Sequence, residues 1–239
     1  SGFRGKALIF VADAAGEGGD ATTLWMGDGT AIRSLEVWRA DQASLGRLYT
    51  IITEYLGFKH HEEEGHVMGL APYGNPDRHP LPGEDVDKAS ESKSIDEIRE
   101  RFRRFCDTEQ NGFLKLNPRI LLYGTHQYGM RFVSDELIDA LSDVVPPRRP
   151  GAPLLRVHSR LAYVLQSILE ESLMGLIENA VQRYRCKQVV LAGGVALNSK
   201  LNGKVLEQRL ADRLFVQPAA ADSGTSLGAA LEAGKQVLG

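Results

Sequence analysis

The feature that most constrains the fold of this chain is a change of hydrophobic period partway along it. Residues 6–12, KALIFVA, are a continuous apolar run of strand length and read as a buried strand. The run ends at Asp13 and opens into the small-residue stretch AAGEGGDA, which reads as a turn. TTLWM at 22–26 and AIRSLEVW at 31–38 follow, separated by Gly27-Asp28-Gly29-Thr30. Asp-Gly between two such runs is a strong hairpin signal. The first third is therefore expected to be a three-stranded antiparallel meander. From Ser44 the period becomes helical: Leu45, Leu48, Tyr49, Ile52 and Tyr55 fall on one face, and Gly57 closes the helix.

Later the two periods alternate. Leu161, Val164, Leu165, Ile168, Leu169, Leu173, Leu176 and Ile177 form an apolar stripe between 160 and 183. QVVLAGG then reads as a buried strand, ALNSKLNGKVLEQRL as a helix, LFVQPA as a strand and SGTSLGAALEAGKQVL as the last helix. A meander followed by alternating helices and strands predicts an α/β domain with a mixed sheet. Two stretches interrupt it. Charge is dense in 75–110, where NPDRHPLPGEDVDKASESKS reads as an exposed, mobile loop. PPRRPGAP at 146–153 is irregular.

Composition excludes several classes. The 239 residues can bury one large core or two small ones. A net charge of −3 gives no general footprint for nucleic acid. Cys106 and Cys186 form neither a metal-type spacing nor a disulfide framework, so a reducing cytoplasm is expected. No apolar stretch approaches the roughly 20 residues of a membrane-spanning helix, and no signal peptide is expected before the first strand. Ser1-Gly2-Phe3 lacks an initiator methionine, which is expected of a fragment of a longer chain.

Candidate site residues sit at strand ends. Asp13 there can hold a divalent cation or orient a water, and the glycine amides beside it can approach phosphate oxygens; it can equally be a turn former bonding its own backbone. Glu17 is a weaker candidate in the same loop. Gly193 and Gly194 carry no side chain, so their amides can meet a phosphate or nucleoside, or simply make a tight turn. Asn198 either caps the next helix or contacts a ligand. Asp222 and Ser223 lie at a strand-to-helix junction, followed by Gly224. The Asp13, Gly193-Gly194 and Asp222 turns are expected to converge at one edge of the sheet. In EGHVMGLAPYG at 64–74, Met68 and Leu70 read as core, with Gly69 and Gly74 marking helix ends. Adjacent His60 and His61 do not share a helical face and make no metal site. His66, His79, His126 and His158 are isolated.

SLGRLYTIITEYLGFKHHEEEGHVMGLAPYG, LAGGVALNSKLNGKV and FVQPAAADSGTSLGAAL resemble, in order, three motifs of the O-carbamoyltransferases of nodulation-factor and antibiotic biosynthesis. The resemblance spans essentially the whole chain. It implies the actin-like ATPase (ribonuclease H-like) fold shared with the tRNA threonylcarbamoyladenosine transferases. This chain would be mainly the second lobe: 1–40 its strand meander, 41–150 a mostly helical insertion with a mobile charged loop, and 151–239 the α/β remainder.

The implied reaction takes carbamoyl phosphate and ATP to carbamoyl-adenylate in a C-terminal synthase-like domain. The carbamoyl group then passes to a hydroxyl of a sugar or natural-product acceptor. The implied metal is iron, held by two histidines and two aspartates. The aspartates match Asp13 and Asp222, and the histidines are expected in the N-terminal lobe, upstream of Ser1. Gly193, Gly194 and Asn198 match the nucleotide-side motif, with Gly16, Ser223 and Gly224 beside it. Two positions depart from the pattern: Ala14 stands where a glycine is usual, and His66 where a lysine is. An actin-like sugar kinase or ATPase, and a non-catalytic nucleotide-binding module, are the alternative readings. EGHVMGLAPYG favours the transferase.

Overall fold

Alternation inside the first apolar run sets the two faces of the central sheet. The computed structural model describes residues 2–77, 87–108, 113–121, 130 and 132–238. The chain divides into two units, residues 1–46 with 174–239, and residues 47–173.

In the first unit, strand β1 (Lys6–Ala12) pairs antiparallel with β2 (Asp20–Asp28), which pairs antiparallel with β3 (Ala31–Arg39). The expected meander is present. Its hairpin loop is Gly29-Thr30, because Asp28 is still paired with Ala31. Gly29 has φ +59°, the pattern of a type II′ turn with glycine at its first position. β6 (Gln188–Ala192) lies parallel to β1, and β7 (Arg213–Val216) parallel to β6, giving the order β3-β2-β1-β6-β7.

Register aligns Leu8 with Met26 and Val189, and Phe10 with Leu24 and Leu191; all six are buried. Their neighbours Ile9, Val11, Val190 and Ala192 point to the other face and are only half-buried, as a period of 2 requires. The first apolar run is thus fully buried on one face only. Helix α8 (Ser199–Glu207) starts later than the apolar pattern suggested, since Gly194–Leu197 form a 3-10 turn and Asn198 is the cap. Helix α9 (Ser223–Leu238) has the expected span and is exposed along most of its length.

The second unit is mainly helical. A short helix α1 (Ala40–Ala43) ends the first stretch of the first unit, and α2 (Leu45–Tyr55) leads into the second. Gly57, at φ +70°, ends α2: its N–H donates to Glu54 O at 2.8 Å, and Phe58 N–H to Thr53 O at 3.1 Å. This pair of bonds is the Schellman motif. EGHVMGLAPYG forms α3 (Glu64–Leu70) and a 3-10 turn over Ala71–Gly74. Val67 and Ala71 are its buried apolar residues, while Met68 and Leu70 are half-buried.

Of the charged stretch expected to be a loop, 78–86 lie outside the described residues, and the rest runs into α4 (Lys88–Arg103). Ile95, Ile98 and Phe102 are buried at helical spacing, enough to hold an otherwise charged helix. β4 (Cys106–Thr108) and β5 (Leu114–Leu116) form a separate antiparallel pair. Short α5 (Pro118–Leu121) and α6 (Asp135–Leu141) follow, the latter capped by Ser134 Oγ, which accepts from Leu137 N at 3.2 Å. Residues 146–153 carry no helix or strand, as expected. α7 (Arg156–Tyr184) is the longest helix among the described residues.

Candidate active site

Parallel neighbours end at the same edge of a sheet, which is where the candidate residues meet. Val11 is in register with Ala192, so Asp13 faces the Gly193-Gly194 turn. One oxygen of Asp13, Oδ2, accepts the Gly194 N–H at 2.8 Å, and Oδ1 accepts the Ala14 N–H at 2.7 Å. Gly193 adopts φ +87°, and a Cβ there would overlap the Ala12 carbonyl. Only glycine fits both demands. The Gly193 N–H donates to Ala220 O at 2.7 Å, tying the turn to the segment after β7. Two residues on, Asp222 opens α9, and its carbonyl accepts from Thr225 N at 3.0 Å and Thr225 Oγ1 at 2.6 Å.

Asp13, Gly193, Asp222, Gly224 and Thr225 line one end of a pocket of about 490 Å³. The pocket continues over the half-buried sheet face, past Val11 and Val190. Asp13 is half-buried and Asp222 exposed. Among the described residues no hydrogen bond reaches the Asp222 carboxylate, whereas Asp13 is fixed through both oxygens.

The remaining candidates have internal duties. Gly194 binds Asp13. Gly16 N–H donates to Asp20 O at 2.6 Å and closes the loop that Gly18 and Gly19 turn with positive φ. Asn198 is buried, and its Oδ1 accepts from Leu201 N at 3.0 Å, the capping role. Ser223 is the first residue of α9, and its carbonyl accepts from Ser226 Oγ at 3.1 Å. The side chain of Glu17 lies outside the described residues. Ala14 is not at positive φ, so its methyl meets no backbone strain.

Ser44 and Gly46 were missed as site residues, although both pack on the Asp13-Ala14 turn. The signal was the Ser-Leu-Gly that opens the first motif. Thr225, at the pocket, lies in the third motif, directly after Gly224.

The histidines lie elsewhere. His60 and His61 pack edge-to-face at 5.0 Å, and each packs on Phe132. His66 stacks on Phe58 at 5.6 Å, with Nδ1 3.6 Å from Glu63. His158 is buried: its Nδ1 accepts from Leu155 N at 3.0 Å while Nε2 donates to Pro146 O at 3.0 Å. Burial, with Arg148 nearby, holds its pKa below the ordinary 6.5 despite the opposing bond to Pro146. His79 and His126 lie outside the described residues. Among the described residues no three His, Cys, Asp or Glu side chains converge to hold a metal. Two carboxylates, one already engaged through both oxygens, do not make a metal site by themselves.

The sequence model of the family described as carbamoyltransferase N-terminus matches residues 1–231. The chain belongs to that family. This carbamoyltransferase-family chain is 34% identical over 233 residues to the nodulation protein NolO of Bradyrhizobium diazoefficiens, covering 97% of the chain and 35% of NolO. It is 33% identical over 231 residues to the nodulation protein NolNO of Sinorhizobium fredii, covering 97% of the chain and 28% of NolNO. An uncharacterized protein of Synechocystis is 31% identical over 234 residues, 98% of the chain and 34% of that protein. The chain thus spans about a third of the length of the curated relatives it matches. Among the described residues no helix is long and apolar enough to cross a membrane.

Proposed function

We propose that this chain is the part of a carbamoyltransferase where a carbamoyl group leaves an ATP-derived carbamoyl-adenylate, formed from carbamoyl phosphate, for a hydroxyl of a sugar or natural product. The observation that carries the reading is the family match over 1–231. The strand order β3-β2-β1-β6-β7, with three antiparallel strands followed by parallel ones, supports an actin-like, ribonuclease H-like lobe. A ligand crevice outside the carboxyl ends of parallel strands is the usual place in α/β sheets, and the Asp13 and Asp222 end of the pocket is at those ends, the rest running along the sheet face past Ala7 and Gly27.

In the proposed step the acceptor hydroxyl oxygen attacks the carbamoyl carbon. The bond from that carbon to the adenylate phosphate oxygen breaks, and AMP leaves with the electron pair. We assign Asp222 to accept the hydroxyl proton, since its carboxylate is exposed at the pocket and, among the described residues, engaged by no internal donor. Asp13 and Gly193-Gly194 shape the wall beside it, with Gly16, Asn198, Ser223 and Gly224 holding its loops and helix starts. Iron at Asp13 and Asp222 would require donors from elsewhere in the polypeptide, so no step is assigned to it.

The test is a polypeptide of the relatives' length containing residues 1–239. Supplied with ATP, carbamoyl phosphate and a panel of aminoglycoside, nodulation-factor and cephem acceptors, it should yield a carbamoylated product by mass spectrometry. No product across the panel would overturn the reading.

A further inference from the structure

Every polar backbone atom around the Asp13-Ala14 turn has an assigned partner. Asp13 N–H donates to Ala21 O at 2.8 Å. Both turn carbonyls accept from one hydroxyl, Ser44 Oγ, at 3.3 Å to Asp13 O and 2.5 Å to Ala14 O. Ser44 is completely buried, so these bonds have no competition from bulk water. Gly46 closes the other side. A Cβ there would stand 2.5 Å from Ala14 N, 2.7 Å from Asp13 C and 2.8 Å from Ala14 Cα. Gly46 is not at positive φ, and glycine is a poor choice in a first helical turn. Its glycine identity therefore answers to space beside Asp13, not to its own backbone.

We infer that Ser44 and Gly46 are positioning residues that set the Asp13 carboxylate against the Gly194 amide. The activity part of this inference rests on the proposed function; the geometric part does not. Ser44 fixes the peptide that carries Asp13, and Gly46 lets that peptide lie close to the start of α2. With the peptide fixed, Oδ1 and Oδ2 reach Ala14 N and Gly194 N at 2.7 and 2.8 Å.

The test uses Ser44→Ala, Ser44→Thr and Gly46→Ala in the longer polypeptide. In Ser44→Ala, hydrogen exchange at the Gly194 amide should accelerate about 10-fold, as expected from losing one buried hydrogen bond. In the same variant kcat for carbamoyl transfer should fall about 10-fold with the acceptor KM unchanged. Ser44→Thr, which keeps the hydroxyl, should restore both. Adding Ser44→Ala to Asp13→Asn should lower kcat no further, because the two act through one carboxylate. Gly46→Ala should reproduce the exchange change by displacing the turn. If that variant fails to fold, Ser44→Ala alone decides.

Unchanged Gly194 exchange in Ser44→Ala would overturn the inference. So would a lowered melting temperature with exchange and kcat both preserved. If the parent polypeptide transfers no carbamoyl group, the functional reading fails by itself. Exchange at Gly194, compared with Ser34→Ala in the exposed edge strand β3 as a control, still judges the positioning role.

Discussion

The Asp13 carboxylate and the Gly194 amide meet at 2.8 Å although 181 residues separate them in the chain. This single bond joins the exits of two parallel strands, and it distinguishes the two candidate aspartates. Asp13 is built into the sheet edge, while Asp222 is presented at the pocket without a donor among the described residues.

That distinction predicts unequal stability effects. Asp13→Asn replaces one accepting oxygen by a donor facing an N–H, and should cost about 2 kcal/mol in urea denaturation. Asp222→Asn should stay within about 0.5 kcal/mol of the parent. Both should depress carbamoyl transfer in the longer polypeptide. Equal stability of the two variants would remove the structural role given to Asp13.

The glycines divide in the same way. Gly193→Ala meets a positive φ and the Ala12 carbonyl together, and should cost about 3 kcal/mol. Gly203, inside α8, has open space where a Cβ would stand. Gly203→Ala should instead stabilise by about 0.5–1 kcal/mol through helix propensity. Thermal or urea unfolding of the two variants side by side checks the sign of each.

An acid-sensitive cluster lies in the second unit. Glu91 is buried and takes bonds from Arg156 Nε and from Arg160 Nη2, the latter at 3.1 Å. Burial alone would raise the Glu91 carboxyl, but its bonds to Arg156 and Arg160 outweigh that and hold it below the ordinary 4.5. A depressed carboxylate contributes stability above its unfolded value and loses it as pH falls through the folded value. Glu91→Gln should therefore cost about 3 kcal/mol at neutral pH and flatten the acid limb of a stability–pH profile. An unchanged acid limb would contradict this.

His158 sets a second, less acid limb. Its folded pKa lies below the unfolded 6.5, so the unfolded chain binds the proton first. Stability should be full above pH 6.5 and decline as pH falls through that value. His158→Gln, which can still donate and accept, should remove the decline between neutrality and pH 6. Unfolding midpoints measured at half-unit pH intervals would reveal it.

How much of this was legible in the sequence depended on the physical signal. Meeting of Asp13, Gly193 and Asp222 at one pocket followed from three strand ends and the rule that parallel neighbours share an edge. The span of α9 was legible from its periodicity and small residues. Helix α4 was not, because Ile95, Ile98 and Phe102 are three apolar residues in a charged stretch, and charge dominated the reading. Half-burial of Ile9 and Val11 was also hidden, since an apolar run looks the same whether one face is covered or two. Asn198 had two open roles, and only the bond to Leu201 N identifies the cap. Ser44 and Gly46 stood in the Ser-Leu-Gly of the first motif, but what they hold was not legible there, because their partner, the Asp13 peptide, lies about 30 residues earlier.

The hydrogen bonding of the pocket edge has an electrostatic consequence. Gly193 and Gly194 give their N–H groups to Ala220 O and Asp13 Oδ2, and Gly224 and Thr225 give theirs to Ala221 O and Asp222 O. The N-terminal end of α9 already faces the negative charge of Asp222, which a helix dipole favours. A polyanion arriving there finds acceptors where bare glycines suggested donors. Its attachment should be a three-body event, in which a counter-charge travels with the ligand. Affinity for the proposed nucleotide should therefore respond more steeply to divalent cation concentration than to ionic strength alone.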